Sequence, residues 1–542
     1  MDKQQVTYVE SEDHDHGRDP DSDDHEVRLE KDHPEAVPLG MNEEMYNAVY
    51  GEDSPSLWAR GHIKLYMICT VLYFMSSMSG YDGAVMSSIN VMQTYLDHFG
   101  MKSAGSSTGL VFSIANIASI SVALFVWVAD YFGRKPVIVA GIVGTLVGTV
   151  VVCTANTTDV FIGGRFLLFF SSGIAYVSIP LYLVEISPPN IRGALAGLFN
   201  TFNFCGTTVA TLTSYGCYIN YPYPDPLQFK IPLWLQMLCP GISFLGIMFC
   251  PESPRWLLAH GKPEKARKIL TELHANGVEN HPIVEIQMAE MHAELENNPI
   301  SSFKEYFNIW DLVNSRSKRY RMFLATTWSW FGNFTGSQVI SYYLPTMLSN
   351  LGVGSTEMTL LLNAIYAIAQ WVFAVAGAFM HDIVGRRKMM LMATAGIVVC
   401  FSCVAIGASQ YEKTGSEPSS VASIVFIYIF GCIFASTYTS LQPIYPAEVL
   451  TTQMRAKGMA FYQAIFNVSG FILAYTGSMA MEKMGFWYYV FFAFWNAFVF
   501  CIIFMWYVET KGRSLEELEE VFQASNPKKA SYEVKVRGPT NI

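Results

Sequence analysis

The chain of 542 residues is 51% hydrophobic and only 15% charged, which excludes an ordinary soluble domain and a disordered chain and points to an integral membrane protein. Its formal charge of −10 says little about partners, because much of the acid sits near the N-terminus, and nothing in it suggests a nucleic-acid ligand. The ten cysteines lie mostly inside apolar runs (Cys69, Cys153, Cys205, Cys400, Cys501), as small buried apolar residues and not a disulfide framework.

Residues 1–61 are rich in Asp, Glu and His, lack a helical apolar period, and carry no apolar core of a secretory signal. They are expected to be a disordered acidic cytoplasmic tail. The clusters Asp13-His14-Asp15-His16 and Asp23-Asp24-His25 have metal-binding side chains but no folded frame to fix a geometry, so no metal and no cofactor is expected.

Crossing a bilayer as a helix takes about 20 apolar residues. Such segments lie near 64–90, 107–129, 136–154, 160–183, 194–215 and 232–250, and again near 322–348, 358–380, 388–409, 421–442, 456–479 and 486–507. The expected fold is therefore all-α, with twelve transmembrane helices in two six-helix halves, 62–250 and 322–508. Between them, 251–321 carries helix-forming runs that read as short amphipathic helices under the bundle, with an unstructured linker as the alternative; 509–542 is a second tail. One set of alternating loops holds Arg134, Lys135, Arg192, Arg386, Arg387, Lys388, Arg455 and Lys457, whereas the other holds only Lys102, Lys230, Lys413 and Lys483. By the positive-inside rule the first set and both termini are cytoplasmic.

Two phrases occur twice. Asp130-Tyr131-Phe132-Gly133-Arg134-Lys135 returns as Asp382-Ile383-Val384-Gly385-Arg386-Arg387, and Pro180-Leu181-Tyr182…Glu185…Arg192 returns as Pro443-Ile444-Tyr445…Glu448…Arg455. Repetition at this interval marks a duplicated bundle. Asp130, Arg134, Glu185, Arg192, Asp382, Arg386, Glu448 and Arg455 are the expected cytoplasmic gate, opening and closing with the transport cycle; for the arginines, plain topology determinants are the competing role.

An ionisable side chain at membrane depth is costly unless paired or wet, which makes it a functional candidate. Asp82 lies beyond the middle of the first segment and Arg165 at similar depth in the fourth, so the two can meet. Paired, Asp82 ionises; separated in a drier state, desolvation favours the protonated acid, as proton coupling requires. A static ion pair holding two helices together is the competing reading. The seventh segment carries Asn333 and Gln338, then Tyr342 and Tyr343. Together with Gln370, Asn200 and Thr207 they supply the amides and aromatic faces that an uncharged polyhydroxylated ligand needs. For any single one of them, helix–helix hydrogen bonding competes with ligand contact.

The doubled Asp-x-x-Gly-Arg phrase, Pro251-Glu252-Ser253-Pro254-Arg255-Trp256 and Val508-Glu509-Thr510-Lys511-Gly512 together resemble the sugar porter branch of the major facilitator superfamily over about residues 60–510. The resemblance implies a central sugar site and alternating access, with Asp82 taking the proton and Arg165 as its partner. Where many hexose-type members carry a Gln-Gln pair, this chain has Gly332-Asn333; it has Gln338 for their Asn, Asn200 and Thr207 for their Gln, and Pro443 for a Trp. Several of these changes shrink the side chain and are expected to enlarge the cavity. The stretches 336–343 and 442–458 look most like fungal lactose permeases and cellodextrin transporters.

The expectation is a plasma-membrane sugar:proton symporter, monomeric, whose partners are a sugar, a proton and the bilayer, with a disaccharide such as lactose or cellobiose as cargo. A hexose, pentose or polyol carrier and a non-transporting sugar sensor are the rivals. An enzyme is not expected, since no nucleophile–base set and no metal-ligand spacing appears.

Overall fold

In a computed structural model of the chain the described residues are 56 and 58–533, apart from 104, 123, 124, 126, 189, 190, 280, 298–308, 512 and 514; helices and turns account for them, with no strand among them. The first half contains α1 (Arg60–Ile89), α2 (Gln93–Phe99), α3 (Ser106–Val122), α4 (Val128–Phe132), α5 (Arg134–Thr154), α6 (Thr158–Ile186), α7 (Arg192–Asn220), α8 (Leu227–Leu235) and α9 (Leu238–Ile247). A layer of α10 (Pro254–Ala259), α11 (Pro263–His274) and α12 (Pro282–Asn297) follows. The second half runs α13 (Arg316–Phe334), α14 (Ser337–Asn350), α15 (Thr356–Val384), α16 (Arg386–Thr414), α17 (Glu417–Val449), α18 (Thr452–Met484) and α19 (Trp487–Trp506), and α20 (Leu515–Gln523) and α21 (Pro527–Glu533) come after it.

Nine helical stretches among the described residues are long and apolar enough to cross a membrane, α8 and α9 counting as one. The remaining three crossings are the shorter α3, the more polar α7 and the broken pair α13–α14, giving the expected twelve. Helix α7 tolerates its hydroxyls because they bond back along the helix, Thr208 to the Phe204 carbonyl, Thr211 to Thr207 and Ser214 to Ala210. Its other small residues let it lie against α1: a Cβ on Gly206 would stand 1.8 Å from the Ser77 carbonyl oxygen, and one on Gly80 would stand 1.9 Å from that of Asn203.

Two crossings are broken, each with a local cause. The seventh turns at Gly336, whose φ of +101° suits glycine, and a Cβ there would meet the Phe401 ring at 2.5 Å. In the sixth, Pro240 has no N–H to offer the Gln236 carbonyl four residues back, so Gln236 and Met237 separate α8 from α9.

The halves meet through α3 with α18, α7 with α15 and α1 with α14. At the end away from the arginine-rich loops they are stitched directly: Gly105 N donates to Ser478 Oγ at 2.8 Å, Ser478 Oγ donates back to the Gly105 carbonyl at 2.8 Å, and Asn363 Nδ2 reaches Ser88 Oγ at 3.2 Å.

Helices α10–α12 bury Leu257, Leu258, Leu270, Ile283 and Val284 on one another. They dock on the first half through a 2.8 Å contact between His274 Nε2 and the Ile186 carbonyl. In the second half Arg321 is buried at the start of α13, donating to the Val449 carbonyl at 2.6 Å and to Glu519 of α20 at 2.7 Å, with its guanidinium 4.2 Å from the Phe522 ring. Of the expected acidic tail, residues 1–55, with both Asp/His clusters, and 57 lie outside the described residues, while Arg60 and Gly61 already belong to α1. All ten cysteines are free; Cys501, expected inside, is exposed on α19.

Candidate functional site

Asp82 and Arg165 meet, as their depths allowed. Each is 1% exposed, and Arg165 Nη1 lies 3.4 Å from Asp82 Oδ1. Arg165 also donates from Nε to the Val111 carbonyl at 3.2 Å and lies 5.0 Å from the Phe169 ring, so three helices position it. A third group completes the cluster: Gln236, in the break between α8 and α9, donates from Nε2 to the same Asp82 Oδ1. Sequence reasoning passed over Gln236, although a lone amide between Leu235 and Met237 in an apolar segment was a readable signal. From the second half, Tyr342 stands within electrostatic reach of both Asp82 and Arg165, with the Gln338 side chain one helical turn before it. Its ring is 4.9 Å from that of Phe112, and Phe112 in turn lies 5.0 Å from Tyr343. Of the predicted residues, Asp82, Arg165, Tyr342 and Gln338 are thus neighbours at the junction of the halves.

The other amides divide. Asn333 is buried and donates to the Phe466 carbonyl at 2.6 Å and to Ser469 Oγ at 2.8 Å, tying α13 to α18. A Cβ on Gly470 would fall 2.6 Å from Asn116 Oδ1 and 3.4 Å from Asn333 Nδ2, so a first-half amide that the sequence reading missed, Asn116, faces Asn333 across that glycine. Gln370 donates to the Tyr366 hydroxyl at 3.3 Å, Thr207 to the Gly80 carbonyl at 3.3 Å, and Tyr343, fully buried, to the Ala474 carbonyl at 3.0 Å. Those three side chains are engaged in packing in this conformation, whereas Asn200 is exposed.

The expected enlargement does not occur at Gly332. A Cβ there would stand 2.4 Å from Gln442 Nε2, so the space that a larger residue would take is filled by an amide from α17. Gln442 makes no hydrogen bond among the described residues, and its neighbour Pro443 is exposed.

The repeated phrases build the same network twice. Arg134 grips Glu185 with two bonds, Nη2 to Oε1 at 2.9 Å and Nε to Oε2 at 3.1 Å, and reaches Asp130 at 2.8 Å. Arg386 holds Glu448 Oε1 at 2.9 and 3.2 Å. Ser253 donates to Glu185 as Thr510 does to Glu448. The Tyr182 hydroxyl reaches the Pro251 carbonyl at 2.6 Å, and that of Tyr445 reaches Val508 at 3.3 Å. Glu252 accepts from the backbone N–H groups of Arg134, Lys135 and Ser253 at 2.8–3.2 Å, and Glu509 from those of Arg386, Arg387, Thr510 and Lys511 over the same range. A carboxylate at a helix N-terminus satisfies its free N–H groups and complements its dipole. Gly133 and Gly385 recur for the same reason: their φ values are +103° and +101°, and a Cβ would lie 2.8 and 2.9 Å from the capping carboxylates. These pairs join helices within one half, not across the halves. Arg455 is partly buried, its Nε has no partner among the described residues and it does not reach Glu448, and the side chains of Arg192 and Asp382 lie outside the described residues.

Against known proteins, a family model described as "Sugar (and other) transporter" matches residues 68–522. The chain is 28% identical over 481 residues to a high-affinity glucose transporter of Kluyveromyces lactis, covering 85% of this chain and 86% of that protein. It is 26% identical over 491 residues to a quinate permease of Neurospora terricola, covering 87% and 91%. Among solved structures it resembles the xylose transporter XylE of E. coli in an inward-open conformation, with a TM-score of 0.69 at 18% identity over 84% of this chain and 99% of that one. These relatives are transporters, not enzymes.

Proposed function

Because the chain belongs to the sugar (and other) transporter family, we propose that it imports a neutral sugar together with a proton by alternating access, as a monomer in the plasma membrane. The observation that carries this reading is the buried Asp82–Arg165–Gln236 cluster beside Tyr342 and Gln338. An acid that is paired in one arrangement and released in another takes up and gives off a proton, and the adjacent amide and phenol offer the bonds that a hydroxylated cargo needs. The arginine-rich face is cytoplasmic, with both termini on that side. With the halves stitched at the opposite end, this arrangement is the inward-facing one. The braced Arg134–Glu185 and Arg386–Glu448 networks keep each half rigid as it rocks. The driving force is adequate: a membrane potential supplies about 2.3 kcal/mol per charge for each 100 mV, and at about 1.4 kcal/mol per factor of ten that supports roughly 50-fold accumulation.

We place a disaccharide first as cargo. Pro443 and Asn200 are both exposed, and small or uncovered side chains at these two positions suit a ligand longer than one ring. A carboxylate cargo of the kind that the quinate permeases are named for needs a cation. The one at mid-depth among the described residues, Arg165, is buried and already pairs with Asp82. The test is uptake of labelled lactose, cellobiose, maltose, glucose and quinate in a transport-deficient yeast, with and without an uncoupler. Uncoupler-sensitive accumulation of cellobiose or lactose is expected. Accumulation of glucose alone would refute the disaccharide, that of quinate alone would refute the neutral cargo, and insensitivity to the uncoupler would refute the proton.

A further inference from the structure

Two groups divide the Asp82 carboxyl between them, and they do so unequally. Arg165 Nη1 and Gln236 Nε2 both donate to Oδ1. Among the described residues the other oxygen, Oδ2, is buried with no hydrogen-bond partner, and the Gln236 carbonyl oxygen, Oε1, is likewise buried and unpartnered. Both atoms are acceptors, and an acceptor buried without a donor is costly. A single proton placed on Oδ2 satisfies both: it turns that oxygen into a donor, and the nearby amide offers an acceptor with nothing bound to it. A carboxylic acid and a primary amide then make a two-bond ring, N–H to Oδ1 and O–H to Oε1, of which one bond is already formed in this structure.

The geometry points to Gln236 as the residue that holds the transported proton on Asp82, a positioning residue that favours the acid while Arg165 favours the carboxylate. This rests on the proton-coupled reading proposed above. The proton arrives from water on one side of the membrane, converts the carboxylate to the acid, and returns to water on the other side when Asp82 is drawn back to Arg165, so charge balances over the cycle. An amide suits the task because it is donor and acceptor at once and never titrates; a second acid at 236 would compete for the proton. Among the described residues the other titratable and charged groups facing the site are Arg165 from α6, Tyr342 from α14 and Tyr95 of α2, which interacts with Arg165. None of these is an acceptor placed on Oδ2.

The sign of one substitution separates this role from its rivals. If Gln236 only stabilises the carboxylate, or holds a bridging water against it, removing the amide makes Asp82 easier to protonate. If Gln236 holds the proton, removing it makes Asp82 harder to protonate. We would follow the carboxylic C=O infrared band of the purified full-length transporter against pH, assigned to Asp82 by its loss in Asp82→Asn, so that no cargo is needed. In proteoliposomes, cellobiose- or glucose-driven proton uptake would be followed with an entrapped pH dye. For Gln236→Leu the midpoint should fall by about one pH unit, a tenfold weaker hold on the proton and about 1.4 kcal/mol. Gln236→Met, close in shape but with neither amide donor nor amide acceptor, should fall likewise, and it decides the matter should Gln236→Leu fail to fold. An unchanged or raised midpoint in Gln236→Leu, or in Gln236→Met, overturns the assignment. Uphill uptake by Asp82→Asn refutes proton coupling itself. A wild-type midpoint in Gln236→Leu beside a coupling-dead Asp82→Asn refutes only the role of Gln236.

Discussion

Replacing Asp82 with Asn keeps the shape of the side chain and removes its charge, leaving the Arg165 guanidinium 1% exposed without a counter-ion. Removing one partner of a buried ion pair costs about 3–5 kcal/mol, because the other charge stays buried and uncompensated. Here the cost is softened. Arg165 retains its bond to the Val111 carbonyl at 3.2 Å and its contact with Phe169 at 5.0 Å. The amide carbonyl of Asn also still offers it an acceptor, so the expected loss is at the low end, about 3 kcal/mol. Removing both charges in Asp82→Asn/Arg165→Leu should recover most of that loss, since the stranded cation goes too. Thermal unfolding of the purified protein measures the stability arm. Labelled-sugar uptake with an uncoupler, together with counterflow at equal sugar on both sides, measures the functional arm. Uphill accumulation should vanish in the single variant while counterflow persists. Full accumulation by Asp82→Asn would refute the coupling argument, and a double variant less stable than either single one would refute the ion-pair account of the stability loss.

Three other substitutions test the rest of the site. Gly332→Gln forces a side chain onto Gln442 Nε2, 2.4 Å from where its Cβ would sit. It should cost about 1–3 kcal/mol and raise the KM for the cargo, with partial recovery in Gly332→Gln/Gln442→Gly; an unchanged KM would show that Gln442 moves aside freely. Gly385→Ala combines a φ of +101° with a Cβ 2.9 Å from Glu509 Oε2, so unfolding measurements should record a loss of about 1–3 kcal/mol, matched by Gly133→Ala against Glu252. Asn333→Ala removes bonds of 2.6 and 2.8 Å to α18. As a helix fastener it should lose about 0.6–1.7 kcal/mol of stability at unchanged KM, whereas as a ligand contact it should lose affinity instead; stability and KM measured together distinguish the two.

Much of the fold was legible from one-dimensional signals. The apolar segments reported the crossings because a spanning helix must satisfy its own backbone and face lipid. The doubled Asp-x-x-Gly-Arg phrase reported duplication, and its glycine now has a cause in the capping carboxylates of Glu252 and Glu509. Those glutamates sat in motifs that looked separate from the repeat, 118 and 123 residues further along than the arginines whose N–H groups they cap. No local pattern announces a partner so distant.

The chemical types at the centre were also legible. Asp82 and Arg165 stood out because charge at membrane depth is rare, and depth alone was enough to pair them. Amides carry less signal, since Asn333, Thr207 and Gln370 serve helix packing with the same atoms that would serve a ligand. The chain by itself therefore determined the membrane bundle, its duplication and an acid–base pair at membrane depth, because hydrophobic length, repeated phrases and misplaced charge are properties of the sequence. Only the tertiary structure decided that Gln236 shares the Asp82 carboxyl, that Gln442 fills the space beside Gly332, and that the gate pairs brace each half from within. Each of those depends on which side chain arrives from a distant helix at a separation of a few ångströms, and hydrogen bonding and packing are decided at that range.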